Sequence, residues 1–329
     1  MINFQHIFDK FNDLTVMVIG DVMIDAYMWG KVNRISPEAP VPILASAQRE
    51  HRLGGAANVA LNLQALGATP LLCSVIGNDR EGEVFMKTLG ANGLTQLGML
   101  ADSTRITTTK TRVIAGTQHL LRIDEETTKP LHENLEKAFC ARIEQLITSE
   151  KIDAIIFEDY DKGAITPGVI RRVVALANAR KIPTLVDPKK RNFLEYRNVT
   201  LFKPNFKELC EGLKEDVDKQ SYDAIFEAAR KINRQMGVRY VVVTLSERGV
   251  LVSDGEQYSA IPAALRNITD VSGAGDTVIS VASLCLSAGM ATPMAAAVAN
   301  LAGGLVCEKV GVVPVDKKLL LEECVKKLA

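Results

Sequence analysis

Short apolar runs recur along the chain, and each ends on polar residues. Thr15–Asp21 reads TVMVIGD and Thr69–Asp79 reads TPLLCSVIGND. Asp153–Asp159 (DAIIFED), Pro183–Pro188 (PTLVDP) and Tyr240–Gly249 (YVVVTLSERG) repeat the form. Runs this short and this continuously apolar predict strands buried on both faces. Between them lie stretches of helical period, such as ITPGVIRRVVALANARK at 165–181. Strand and helix in alternation predict an α/β fold, a mostly parallel sheet with helices on both faces. In such sheets ligands bind beyond the carboxyl ends of the strands. Asp21, Asp25, Asp159, Asp187 and Ser246-Glu247 all follow such ends.

Two segments break the rhythm. Residues 26–47 carry three prolines and alternate, and residues 105–124 alternate Ile, Thr and Val with charge around Ala115-Gly116-Thr117. Both predict exposed antiparallel strands, a small β lid over a site. The α/β core then comprises 1–25, 48–104 and 125–329.

The stretch DVSGAGDTV at 270–278 places two carboxylates around four small residues, at the mouth of an apolar helix. A Gly-rich turn lets backbone N–H groups converge, and the helix N-terminus adds positive partial charge there. That combination suits a phosphate. Asp276 at the same spot repels phosphate, but it can take a proton from an attacking hydroxyl. Anion hole and base together fit phosphoryl transfer; a helix cap and close packing account for the same residues equally well. GGAAN at 54–58 is a second tight turn, and Asn58 fits either a polyol contact or a bond to its own backbone. In KPNFKE, Asn205 and Glu208 fit either water-held magnesium or a helix cap. No G-x-x-x-x-G-K-[ST] is present. GAGDTV lacks the third glycine of a dinucleotide fingerprint and lies late in the chain, against a dehydrogenase.

Charge narrows the partners. Lys+Arg and Asp+Glu balance at 39 each over 329 residues. Nothing overall favours nucleic acid or an anionic membrane. Six scattered cysteines without a C-x-x-C pair predict reduced thiols and a cytoplasmic protein. The amphipathic, acid-bearing start does not suit a signal peptide, and no apolar run approaches the length of a membrane span.

Taken together, GGAANVALNLQALGA and DVSGAGDTVISVASLCLSAG, in this order, resemble the two signatures of the ribokinase (PfkB-type) family of sugar kinases. The resemblance implies a ribokinase-like three-layer α/β/α core with a small β-sheet lid. It implies Asp276 as base and Gly273, Ala274 and Gly275 as the anion hole. Asp25, Gly54, Gly55, Asn58 and Asp159 then meet the sugar. Asn205, Lys207, Glu208, Thr244, Ser246, Glu247, Gly249 and Asn300 meet the nucleotide, with magnesium held through water by Asn205 and Glu208. A monovalent cation such as potassium would sit by Asp270, although Val271 stands where the family has a Thr. ATP and a sugar phosphate are the implied substrates and a homodimer the implied assembly.

Within that family, residues 20–44, EDYDKGAI at 158–165 and residues 185–205 resemble the branch acting on D-glycero-β-D-manno-heptose 7-phosphate. That branch forms the 1,7-bisphosphate on the route to ADP-heptose. The adenylyl step is then expected from a separate adenylyltransferase. Glu158 departs from the branch, which more usually has Ser there. A sugar phosphate needs cations at its far end. Lys189 is the first choice, with Lys162, Lys190, Arg191, Arg34 and Arg52 nearby in sequence.

Overall fold

The computed structural model describes residues 2–328. Nine strands form the main sheet, in the order β13-β12-β11-β10-β9-β8-β1-β4-β5. In chain order they are β1 (Thr15–Gly20), β4 (Thr69–Gly77), β5 (Gly98–Asp102), β8 (Ala154–Glu158), β9 (Thr184–Asp187), β10 (Leu201–Phe202), β11 (Tyr240–Thr244), β12 (Val250–Ser253) and β13 (Tyr258–Ile261). Pairing is parallel from β5 to β11 and antiparallel from β11 to β13. The predicted apolar runs are the central strands.

Their side chains alternate between two cores, one on each face. Val16 and Val18 enter one, Met17 and Ile19 the other. The first core packs α1 (Phe4–Lys10), α2 (Ala56–Ala65), α3 (Arg80–Ala91), α8 (Ala274–Ser287), α9 (Thr292–Val306) and α10 (Lys317–Leu328). The second packs α4 (Glu133–Ser149), α5 (Pro167–Ala179), α6 (Phe206–Leu213) and α7 (Tyr222–Met236). This is the expected three-layer core. Local signals set the helix starts. Thr166 caps α5 through Val169 N–H at 3.1 Å, with Pro167 at its first position. Gly273 enters α8 at φ +77°, a conformation that costs glycine little.

A separate four-stranded sheet has the order β3-β2-β6-β7, from β2 (Val22–Ile35), β3 (Pro42–Gly55), β6 (Thr109–Ala115) and β7 (Gln118–Glu125). The antiparallel pairing expected of it holds within each hairpin, whereas β2 and β6 pair in parallel. Its first two strands reach further than 26–47, whereas the second pair begins at Thr109 rather than 105 and ends at Glu125. Asp25 and the Gly54-Gly55 pair therefore stand at the foot of this sheet, where it meets the core.

Among the described residues no helix is long and apolar enough to cross a membrane. All six cysteines are unpaired.

Candidate active site

The carboxyl ends of β1, β8 and β9 and the start of α8 converge. Register places Glu158 beside Gly20 on one side and Asp187 on the other. Asp276, in the first turn of α8, faces the same point and is buried. Two groups grip it: Asn58 Nδ2 donates to Oδ2 at 2.6 Å, and the Tyr160 hydroxyl donates to Oδ1 at 2.9 Å. Burial raises the Asp276 carboxyl above its ordinary range, against the lowering effect of the Asn58 bond. Burial, and then the nearby Asp276 carboxylate, likewise drives the Tyr160 phenol upward, so it remains a donor.

Asn58 is in place because Gly55, at φ +61°, caps the start of α2. Polar groups then lock α2 to α8. Asn62 Oδ1 accepts from Thr277 Oγ1 at 3.1 Å, and Ser280 Oγ donates to the Val59 carbonyl at 3.3 Å. Tyr160 is held by its own loop. Asp21 accepts the backbone N–H groups of Tyr160 (3.0 Å), Lys162 (3.0 Å) and Ala164 (2.9 Å).

The turn Gly273–Asp276 lies beside this group. A Cβ on Gly275 would stand 3.4 Å from Asp187 Oδ2 and 3.6 Å from Lys203 Nζ. Lys203 Nζ is 2.7 Å from Asp187 Oδ2, and both residues are buried. Burial works against the Lys203 charge, but Asp187 and Glu208 hold its ammonium above the usual lysine value. Glu158, Asp187 and Asp276 offer oxygens all within 4.8 Å of one another. Burial first, then Asp187 and Asp276, pushes the Glu158 carboxyl well up.

Asp25 sits on β2 opposite Arg52 and pairs with Arg112 on β6. Gly54 lies against it; a Cβ there would come 2.7 Å from Asp25 Oδ2. Arg52 and Arg112 both stack on the Tyr27 ring, at 4.7 and 5.3 Å from its centroid. Asp270 braces the loop: its Oδ1 accepts Ser272 N–H and its Oδ2 accepts Gly311 N–H, each at 2.9 Å.

Several expected positions resolve differently. Asp159 is fully buried, and its oxygens take Asn192 Nδ2 (3.0 Å), the Tyr196 hydroxyl (2.7 Å) and Asp161 N–H (2.9 Å). Burial raises its pKa to about 6. It therefore offers no oxygen to a sugar, and the next residue, Tyr160, is the one that reaches Asp276. Lys189, expected at the sugar's far end, pairs with Glu208 and lies 5.4 Å from the centre of the Tyr160 ring. Asn205 and Glu208, expected around magnesium, form a capping box at the start of α6. Asn205 Oδ1 accepts Glu208 N–H and Glu208 Oε2 accepts Asn205 N–H, both at 2.8 Å. Its other oxygen pairs with Lys189, so each Glu208 oxygen has a partner, whereas in the Glu158, Asp187 and Asp276 set Glu158 keeps an unpartnered oxygen.

The remaining expected nucleotide residues lie along β11 and beyond. Asn205 forms an isolated bridge with Thr244. Ser246 (φ +55°) and Gly249 (φ +85°) bound a tight turn, and Glu247 pairs with Lys219 at its rim. Lys207 points outward, 3.7 Å from Glu211. Asn300 donates to the Pro262 carbonyl at 2.9 Å. Of the other basic residues, Lys162 pairs with Glu126 and Arg191 donates to the Thr128 carbonyl. Reading the sequence missed Tyr160, Lys203 and Arg112. The first two stand within the quoted stretches EDYDKGAI and KPNFKE; nothing local singles out Arg112.

The model of the pfkB family of carbohydrate kinases matches residues 13–318. The bifunctional protein HldE of Pelobacter propionicus is 39% identical over 310 residues, 93% of this chain and 62% of that protein. HldE of Helicobacter pylori is 38% identical over 296 residues, 90% of this chain and 63% of that one. The chain thus spans under two thirds of the length of these relatives. Phosphofructokinase-2 from Escherichia coli, solved with potassium, superposes with a TM-score of 0.78 at 18% identity, covering 95% of this chain and 99% of that one. Ribokinase from Thermotoga maritima gives 0.69 at 18% identity, covering 95% and 100%. At such identities the structural likeness speaks to the fold.

Proposed function

The chain belongs to the pfkB family of carbohydrate kinases, and from that premise we propose that it moves the γ-phosphoryl group of ATP to the anomeric O1 of D-glycero-β-D-manno-heptose 7-phosphate. The observation that carries the phosphoryl-transfer reading is Asp276 itself. It is a buried carboxylate at a glycine-rich helix start, aimed by Asn58 and Tyr160. The branch-like stretches at 20–44, 158–165 and 185–205 support the heptose phosphate.

In this reading the sugar lies between Asp25, the Gly54-Gly55 backbone and Asn58, with its O1 hydroxyl toward Asp276. Asp276 takes the hydroxyl proton as O1 bonds to phosphorus and the bond to the ADP oxygen breaks. The N–H groups of Gly273–Asp276 and the α8 terminus stabilise the charge on the moving group. Lys203, beside Gly275, and Lys189, paired with Glu208, fit the nucleotide phosphates. Arg112 and Arg52, beside Asp25, fit the sugar's 7-phosphate, whose binding fixes O1 in position. Magnesium, when bound with ATP, neutralises phosphate charge; Asp187 and Glu158 fit it better than the closed Asn205–Glu208 cap. A monovalent cation beside Asp270 and a homodimer joined through the four-stranded sheet belong to the same proposal.

The test is ADP release measured across a panel of sugars and sugar phosphates. Heptose 7-phosphate should give the highest kcat/KM, with free heptose, ribose and fructose far below. Equal use of phosphorylated and free heptose would overturn the phosphate anchor. A clear preference for another sugar phosphate would leave a family kinase of different substrate.

A further inference from the structure

We propose that Glu158, Asp187 and Asp276 form a divalent-cation site of the protein itself, one that fills without nucleotide or sugar. The three carboxylates come from β8, β9 and α8, and one oxygen of each lies within 4.8 Å of the others. All three residues are buried, Glu158 to 1% exposure. Glu158 Oε2 is cut off from solvent and accepts no hydrogen bond. A buried carboxyl oxygen without a partner is costly, and a bound cation supplies one.

The charges point the same way. Lys203 is the ammonium within the group, paired with Asp187 at 2.7 Å. Lys189 pairs outward with Glu208. Burial favours the protonated forms of Glu158 and Asp276 in the empty site; with all three carboxyls ionised against one ammonium the formal charge is −2, which a divalent ion brings to zero. Ligands that are all carboxylate oxygens select a hard cation such as Mg²⁺, Ca²⁺ or Mn²⁺ over a thiol- or imidazole-seeking metal. The neighbours leave room for it. Asn58 and Tyr160 each take one lone pair of Asp276, and Lys203 takes one of Asp187. Glu158, the residue that departs from the heptose-kinase branch, completes the set.

The site does not depend on which sugar is phosphorylated, and its test uses neither sugar nor ATP, so it stands or falls apart from the heptose reading. Chelator-treated protein is titrated with Mn²⁺, and free Mn²⁺ is followed by electron paramagnetic resonance. One Mn²⁺ should bind per chain and raise the melting temperature. Glu158→Gln and Asp187→Asn should each weaken binding by at least about tenfold and remove the thermal shift, with circular dichroism confirming the fold. Glu208→Gln should leave the affinity within about twofold. No Mn²⁺ bound by the wild type at millimolar concentration would overturn the proposal. So would unchanged affinity in folded Glu158→Gln and Asp187→Asn proteins, or loss of binding through Glu208→Gln instead.

Discussion

Asp276 is aimed before any substrate arrives, because Asn58 and Tyr160 hold both of its oxygens. In Asp276→Asn the amide keeps the shape and loses the basicity. Turnover should fall by about 10²–10⁴-fold, the worth of a positioned general base, while calorimetry should still detect ATP binding. A variant with near-normal turnover would remove Asp276 from the role of base. At this scale reading the sequence pointed to the carboxylate but not to its supports. Tyr160 stands next to Asp159, and one residue along a strand end reverses the direction of a side chain. That single step separates a tyrosine that bonds Asp276 from an aspartate buried among Asn192 and Tyr196.

The start of α8 shows what an element adds. Gly275 is helical, and a Cβ there meets Asp187 Oδ2 at 3.4 Å and Lys203 Nζ at 3.6 Å, ordinary contact distances. Glycine is the poorer helix former, so Gly275→Val should fold with a melting temperature within a few degrees of the wild type. Its methyl groups would occupy the approach to the N–H groups of the turn. The value of kcat should then drop by about 10²–10³-fold, as when one donor of an anion hole is lost. A folded variant with unchanged kcat would show that phosphate never nears this loop. The element was legible because glycine spacing and the following apolar helix are local signals. The capping box of α6 was legible too, but as one of two meanings of Asn205 and Glu208. Only the contact with Lys189 showed where the second carboxylate oxygen goes.

For the molecule as a whole, the four-stranded sheet raises the question of assembly. Leu121 and Ile123, two apart on β7 and so on one face, are 53% and 45% exposed, and Ile35 and Val41 are also open to solvent. Apolar groups concentrated on one sheet are a feature of association surfaces. Sedimentation should show a dimer at micromolar concentration, and the double substitution Leu121→Asp with Ile123→Asp should yield a folded monomer. A monomeric wild type would refute it.

The amino-acid sequence alone determined the layered core, since continuous apolar runs can be buried only between two layers of helices. It also determined the two glycine turns and marked Asp276 as the carboxylate behind one of them, because backbone freedom and charge are properties of single residues. Tertiary structure decided which groups meet. Arg112 reaches Asp25 only because β6 pairs with β2, 87 positions away in the chain. Glu158, Asp187 and Asp276 become one group only because β8, β9 and α8 end at the same point. Pairing of that kind depends on strand order and register, which the whole fold settles at once and no local stretch encodes.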